Sequence, residues 1–158
     1  MQAVYIETTI ASYLGANPSS QKLIARDQQT THLWWTSERN RFRLYTSLFT
    51  IDEASGGDPG AAARRMVFLQ GMPQLVIVSE IEPLAEDLVR LLRLPAKAVM
   101  DASHLAICIL HRMDYLLTWN CTHLANPVLQ KELVEYCRYH NRHIPIICTP
   151  EALLTSFP

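Results

Sequence analysis

Ala3-Val4-Tyr5-Ile6-Glu7-Thr8-Thr9 stands almost at the first residue and carries the reading of the fold. Its first four residues are β-branched and aromatic and read as a strand buried on both faces, the habit of a parallel sheet. The strand ends abruptly at an acid and two threonines. Thr8 or Thr9 is placed to cap the amides of a helix from Ile10 to Leu14, with Gly15 and Asn17-Pro18 as its stop. Glu7 therefore falls at the carboxyl end of a buried strand, the edge where open α/β sheets bind ligands.

The same alternation continues outward from that stretch. Lys22 to Glu38 reads as a helix with Leu23, Ile24, Leu33 and Trp34 as its apolar contacts. The Trp34-Trp35 pair suits a core or a dimer face better than a platform for stacked bases. Arg39, Arg41 and Arg43 precede the strand Leu44-Tyr45-Thr46, so they lie at the opposite edge from Glu7 and read as solvated surface. Ser47 is an N-cap for the next helix, where Glu53 follows Phe49 by four residues and faces inward. Pro59 opens a helix to about Leu69 that carries Arg64 and Arg65, and of these Arg65 is a candidate contact to a substrate phosphate.

Gln74 to Val78 reads as a further strand and Pro83 to Leu94 as an amphipathic helix. From Val99 to Arg112 the apolar residues Leu105, Ala106, Ile109 and Leu110 recur at helical spacing. Four residues before Leu105 stands Asp101, an acid on a face that ought to be apolar. Tyr115 to Thr118 forms a strand closing on Trp119-Asn120, so Asn120 occupies the same kind of place as Glu7. A helix after Pro127 and a strand over Ile144 to Ile147 complete the chain. Strands alternating with helices predict a three-layer α/β/α sandwich with a central, mostly parallel sheet, in one domain over residues 1–158.

Composition narrows the function. Apolar residues make up 49% of the 158 and the formal net charge is −1, which argues against disorder and against any overall field toward nucleic acid or anionic membrane. Cys108, Cys121, Cys137 and Cys148 show no zinc-like spacing and suit reduced thiols. No stretch approaches the roughly 18 apolar residues of a membrane span. A soluble, cytoplasmic protein is expected. The first strand does not end in the D-x-D of aspartyl-phosphate phosphatases, and no glycine-rich turn follows it to hold a dinucleotide.

Glu7 and Asn120 at strand ends, with Glu53 and Asp101 on inward helix faces, converge in this fold. Three carboxylates gathered in a low-dielectric cleft repel one another unless some protonate or a cation sits among them. Oxygen ligands select Mg²⁺ or Mn²⁺, and such an ion suits phosphodiester hydrolysis.

Tyr5-Ile6-Glu7-Thr8-Thr9, Glu53 in a helix after a strand, Asp101-Ala102-Ser103-His104-Leu105-Ala106 and Leu117-Thr118-Trp119-Asn120-Cys121-Thr122-His123 together resemble, in order and spacing, the signature of PIN domains. The chain is similar to VapC-type toxin ribonucleases over nearly its whole length. The resemblance implies metal and catalytic roles for Glu7, Glu53 and Asp101, with Asn120 standing where that family has a fourth acid, and supporting hydroxyls on Thr8 and Thr118. It further implies endonucleolytic cleavage of RNA, a homodimer and inhibition by a small antitoxin protein. Two departures stand out: Glu7 replaces the usual aspartate, and Asn120 leaves the site with three negative charges rather than four. His104, three residues from Asp101, is a ligand or acid/base candidate, against hydrogen bonding in a packed interface as the commoner fate of such a residue. The competing reading is a catalytically weakened PIN-like module that binds RNA or a protein partner without cleaving.

Overall fold

A computed structural model describes residues 1–154. Among them four strands, β1 (Ala3–Ile6), β2 (Arg43–Tyr45), β3 (Tyr115–Leu117) and β4 (Ile146–Cys148), form one sheet in the order β2-β1-β3-β4. Every pairing is parallel, with Val4 opposite both Leu44 and Tyr115, and Leu116 opposite Ile147. The helices are α1 (Thr8–Gly15), α2 (Lys22–Ser37), α3 (Leu48–Ala54), α4 (Pro59–Leu69), α5 (Ile81–Leu91), α6 (Val99–Leu110) and α7 (Pro127–Tyr139).

The period-2 geometry of the strands divides the core into two layers. Ala3, Tyr5 and Leu116 point to one face, where they pack with Leu84 and Leu88 of α5, Leu105 and Ile109 of α6, and Leu133 of α7. Val4, Ile6 and Leu117 point to the other, among Ile10 and Leu14 of α1, Trp34 and Trp35 of α2, and Leu69 of α4. The three-layer α/β/α expectation is met.

Several local expectations are corrected. Gln74 to Val78 is not a strand: a single parallel bridge joins Thr46 to Gln74, and the chain then leaves the sheet. Thr46 binds the carbonyl of Pro73 and the amide of Leu75, but Ser47 already turns into α3, so the edge strand offers nothing further to pair with. Leu23 and Leu33 of α2 are exposed, and the inward stripe is Gln28, Thr31, Trp34 and Trp35. The two large indoles set the rotation of that helix. Trp34 stacks on Phe42 at 5.9 Å, and the tryptophans are core residues. α5 begins at Ile81, with Pro83 in its first turn, where a missing N–H is tolerated. β4 begins after Pro145, which cannot donate to the ladder.

Helix ends are tied down by long-range contacts that position the site. A Cβ on Gly15 would lie 3.0 Å from the backbone of Arg64 and Arg65, so α1 and α4 approach as closely as glycine allows. Arg64 Nε donates to the Gly15 carbonyl at 2.9 Å; Arg65 Nε and Nη2 donate to the carbonyls of Ala54 and Gly56 at 2.8 and 2.6 Å. Both arginines therefore close the carboxyl ends of helices, where a cation is favoured. No helix among the described residues is long and apolar enough to cross a membrane. The four cysteines are free thiols.

Candidate metal centre

From β1 the chain crosses to β2 on one side, and later adds β3 and β4 on the other. The crevice between the carboxyl ends of β1 and β3 is thus a topological switch point, the place where parallel sheets leave room for a ligand. Glu7 follows β1, and Thr118 to Asn120 follow β3. A cleft of about 440 Å³ opens there, lined by Glu7, Thr9, Glu53, Lys97, Asp101 and Asn120 among others.

Glu7 is itself the N-cap of α1, the role expected of Thr8 or Thr9. Its Oε2 accepts from the Thr9 amide at 3.1 Å, the Thr9 hydroxyl at 2.6 Å and the Thr118 hydroxyl at 2.8 Å. Thr9 in turn accepts from the Trp119 amide at 2.8 Å, which locks the loop after β3 to the start of α1. Glu7 is buried and only 4% exposed, yet Oε1 has no hydrogen-bond partner among the described residues.

Glu53 is held in the same one-sided way. Its Oε1 accepts from the Thr8 hydroxyl at 2.8 Å and contacts His104 Nε2 at 2.5 Å, while Oε2 carries no partner among the described residues. Burial opposes its charge, but the hydrogen bonds and charge of His104 and the Thr8 hydroxyl outweigh it and hold the carboxyl below its ordinary range. Asp101 repeats the pattern: Oδ2 accepts from Asn120 Nδ2 at 3.1 Å, and Oδ1 is open. Burial first, then the nearby charge of Glu7, push the Asp101 carboxyl above its ordinary value, with His104, Asn120 and His123 working against them.

Each of the three acids thus presents one fixed oxygen to the protein and one free oxygen outward. Ligand atoms of Glu7, Glu53 and His104 lie within 4.8 Å of one another; Asp101 stands outside that trio and reaches it through its charge. Since His104 Nε2 is already engaged with Glu53, the two glutamates are the open members of the trio. This donor set fits a hard divalent cation: carboxylate oxygens, uncompensated by any arginine or lysine ion pair among the described residues.

The expectations for Asn120 and Arg65 change, while His104 takes the packed, hydrogen-bonded place that is the commoner fate of such a residue. Asn120 does not offer its oxygen to the cleft, because Oδ1 accepts the His123 amide at 2.9 Å and this contact turns Nδ2 toward Asp101. Arg65 is bound to helix carbonyls and does not line the cleft. His104 is wholly buried, with Nδ1 against the Tyr5 hydroxyl at 2.7 Å, so it faces the acids from behind rather than from the cleft. Thr8 and Thr118 stand where a supporting hydroxyl is needed, on Glu53 and Glu7.

Thr9, Ser12, Lys97, Thr122 and His123 also line the cleft, and none is among the site residues expected from the sequence, where Thr9 is read only as a helix cap and Thr122 and His123 only as part of the motif after the strand. For Lys97 a signal existed, since it precedes Asp101 by four residues, one helical turn.

The chain superposes on VapC20 of Mycobacterium tuberculosis, a toxin that cleaves the sarcin-ricin loop, with a TM-score of 0.53 over 72% of this chain and 86% of that one. The fold is PIN-like. The two sequences are 18% identical, so what the PIN-like match conveys is architecture. No family model matches the sequence, and no curated protein matches it.

Proposed function

We propose that this PIN-like protein is a divalent-metal-dependent endoribonuclease, the toxin of a toxin-antitoxin pair. The observation that carries the reading is the shared geometry of Glu7, Glu53 and Asp101 at the switch point, one oxygen of each anchored and the other open. Glu7, Glu53 and Asp101 would hold Mg²⁺ or Mn²⁺. Such an ion lowers the pKa of a coordinated water and neutralises charge on the leaving oxygen of a phosphodiester.

The protein's own residues supply the rest. Thr118 and Thr9 hold Glu7 Oε2 in place by hydrogen bonds, and Thr8 does the same for Glu53 Oε1. Asn120 keeps Asp101 from swinging out of the cleft. Lys97, exposed on the cleft wall and in no ion pair among the described residues, suits a non-bridging phosphate oxygen of an RNA strand. An antitoxin and a second copy of the chain are part of the same reading. Exposed Ile77 and Val99 line an apolar groove of about 740 Å³, separate from the acids, that supports contact with a partner protein.

The test is cleavage of a structured RNA, a sarcin-ricin stem-loop being the first probe, with Mg²⁺ or Mn²⁺ added. Cleavage by the wild type that disappears in Asp101→Asn, with circular dichroism unchanged, is the expected result. Equal cleavage by the variant overturns the assignment.

One observation favours a second reading. The amide of Asn120 already neutralises part of the demand that Asp101 would make on a cation, which suits a weakened site that binds RNA or a protein partner without cutting. Retained RNA binding with no metal-dependent cleavage by the wild type selects that alternative.

A further inference from the structure

Behind the acids lies a buried chain of hydrogen bonds that the cleft itself does not use. Tyr5, Ser47, Thr50 and His104 are all fully buried. The Tyr5 hydroxyl contacts Ser47 Oγ at 2.6 Å, Thr50 Oγ1 at 3.1 Å and His104 Nδ1 at 2.7 Å; His104 Nε2 contacts Glu53 Oε1 at 2.5 Å. Phe49 packs edge-on to the imidazole, so the ring cannot turn freely.

Proton bookkeeping gives the chain a direction. Thr50 donates to the Ile6 carbonyl at 3.2 Å, while at the Tyr5–Ser47 contact either hydroxyl can be the donor. A carboxylate oxygen can only accept, so Glu53 Oε1 at 2.5 Å calls for a proton on His104 Nε2, and Nδ1 is then the acceptor that faces the Tyr5 hydroxyl at 2.7 Å. With one ring proton, that proton must sit on Nε2, facing Glu53. The other tautomer would set the bare Nε2 lone pair against a carboxylate oxygen.

Resting on the metal-centre reading above, we propose that Tyr5 and His104 are its positioning residues. Tyr5 fixes the tautomer of His104, and His104 fixes Glu53 Oε1, so that Oε2 is the oxygen presented to the cation. The arrangement is that of an outer-shell partner which orients a metal-binding carboxylate.

The experiment is a titration of MnCl₂ into the chelator-stripped full-length protein, followed by calorimetry, for the wild type, Tyr5→Phe, His104→Gln and His104→Leu. Outer-shell changes typically weaken metal binding about 10–100-fold, and His104→Leu should fall in that range. His104→Gln keeps a distal N–H within reach of Glu53 and should recover most of the affinity. Tyr5→Phe, nearly isosteric, should weaken binding several-fold while the protein stays folded. Nitrogen NMR of the His104 ring should show the Nε2–H tautomer in the wild type and its partial loss in Tyr5→Phe.

Wild-type Mn²⁺ affinity in folded His104→Leu, or a loss in His104→Gln as large as in His104→Leu, overturns the proposal. Should His104→Leu not fold, unchanged Mn²⁺ affinity and an unchanged ring spectrum in Tyr5→Phe overturn it equally. No Mn²⁺ binding by the wild type removes the metal reading itself, and this inference with it.

Discussion

Asn120→Asp puts the charge account of the cleft to the test. In the wild type, Nδ2 donates to Asp101 Oδ2 at 3.1 Å and Oδ1 accepts from the His123 amide at 2.9 Å. An aspartate keeps the second contact through one oxygen and turns the other at Asp101, replacing a hydrogen bond by a like-charge pair. Two unit charges 4 Å apart interact by about 4 kcal/mol at an effective dielectric of 20. Both side chains are half-buried, so solvent screening reduces this to roughly 1–2 kcal/mol. For a chain of this length the metal-free variant should melt roughly 2–8 °C below the wild type. A divalent ion between the carboxylates relieves the same repulsion, which should return as Mn²⁺ binding about 5–30-fold tighter. Differential scanning calorimetry with chelator, then with excess Mn²⁺, measures both limbs, and titration calorimetry gives the affinity directly. A variant that melts with the wild type in chelator and binds Mn²⁺ no more tightly refutes the reasoning.

Other outcomes follow from the same geometry. Asp101→Asn removes a carboxyl raised by burial and by Glu7, so at neutral pH the metal-free protein should melt higher while Mn²⁺ binding is lost; a lower melting temperature would contradict the electrostatics. Because the Asp101 carboxyl is raised, its ionisation opposes folding as pH rises through the folded value, and protons compete with Mn²⁺ from above the ordinary 3.8; affinity measured against pH should fall from there downward. The Glu53 carboxyl is lowered, so its contribution to stability is complete above the ordinary 4.5 and lost as pH falls through the folded value; acid unfolding of Glu53→Gln should show a flatter limb below pH 4.5. Gly15→Ala forces α1 from α4 at a 3.0 Å contact and should destabilise by about 1–3 kcal/mol in urea unfolding, with an unchanged m-value.

The placement of Glu7 and Asn120 was legible because strand ends are written locally: a short apolar run that stops at a polar residue defines a carboxyl edge whatever surrounds it. Asp101 was legible as an exception to helical periodicity. Gln74 to Val78 was misread because its composition suits a strand, and whether a strand forms depends on a neighbour with free backbone groups, which Ser47 withdraws by entering α3. The exposed Leu23 and Leu33 were misread because the rotation of α2 is set by how Trp34 and Trp35 fill the core. Arg65 looked available for phosphate because no local pattern reveals that the carbonyls of Ala54 and Gly56 end beside it.

What the linear chain determined by itself is the alternation of buried strands and amphipathic helices, and with it the sheet edge at which the acids would meet. Those properties come from side-chain periodicity and from punctuation by proline, glycine and capping residues, all within a few positions of one another. Only the tertiary structure decided which oxygen of each carboxylate is free, that Asn120 points its nitrogen at Asp101, and that Tyr5 stands behind His104. Hydrogen-bond direction depends on donors and acceptors brought together from positions such as 5, 53 and 104, and no local pattern encodes that meeting.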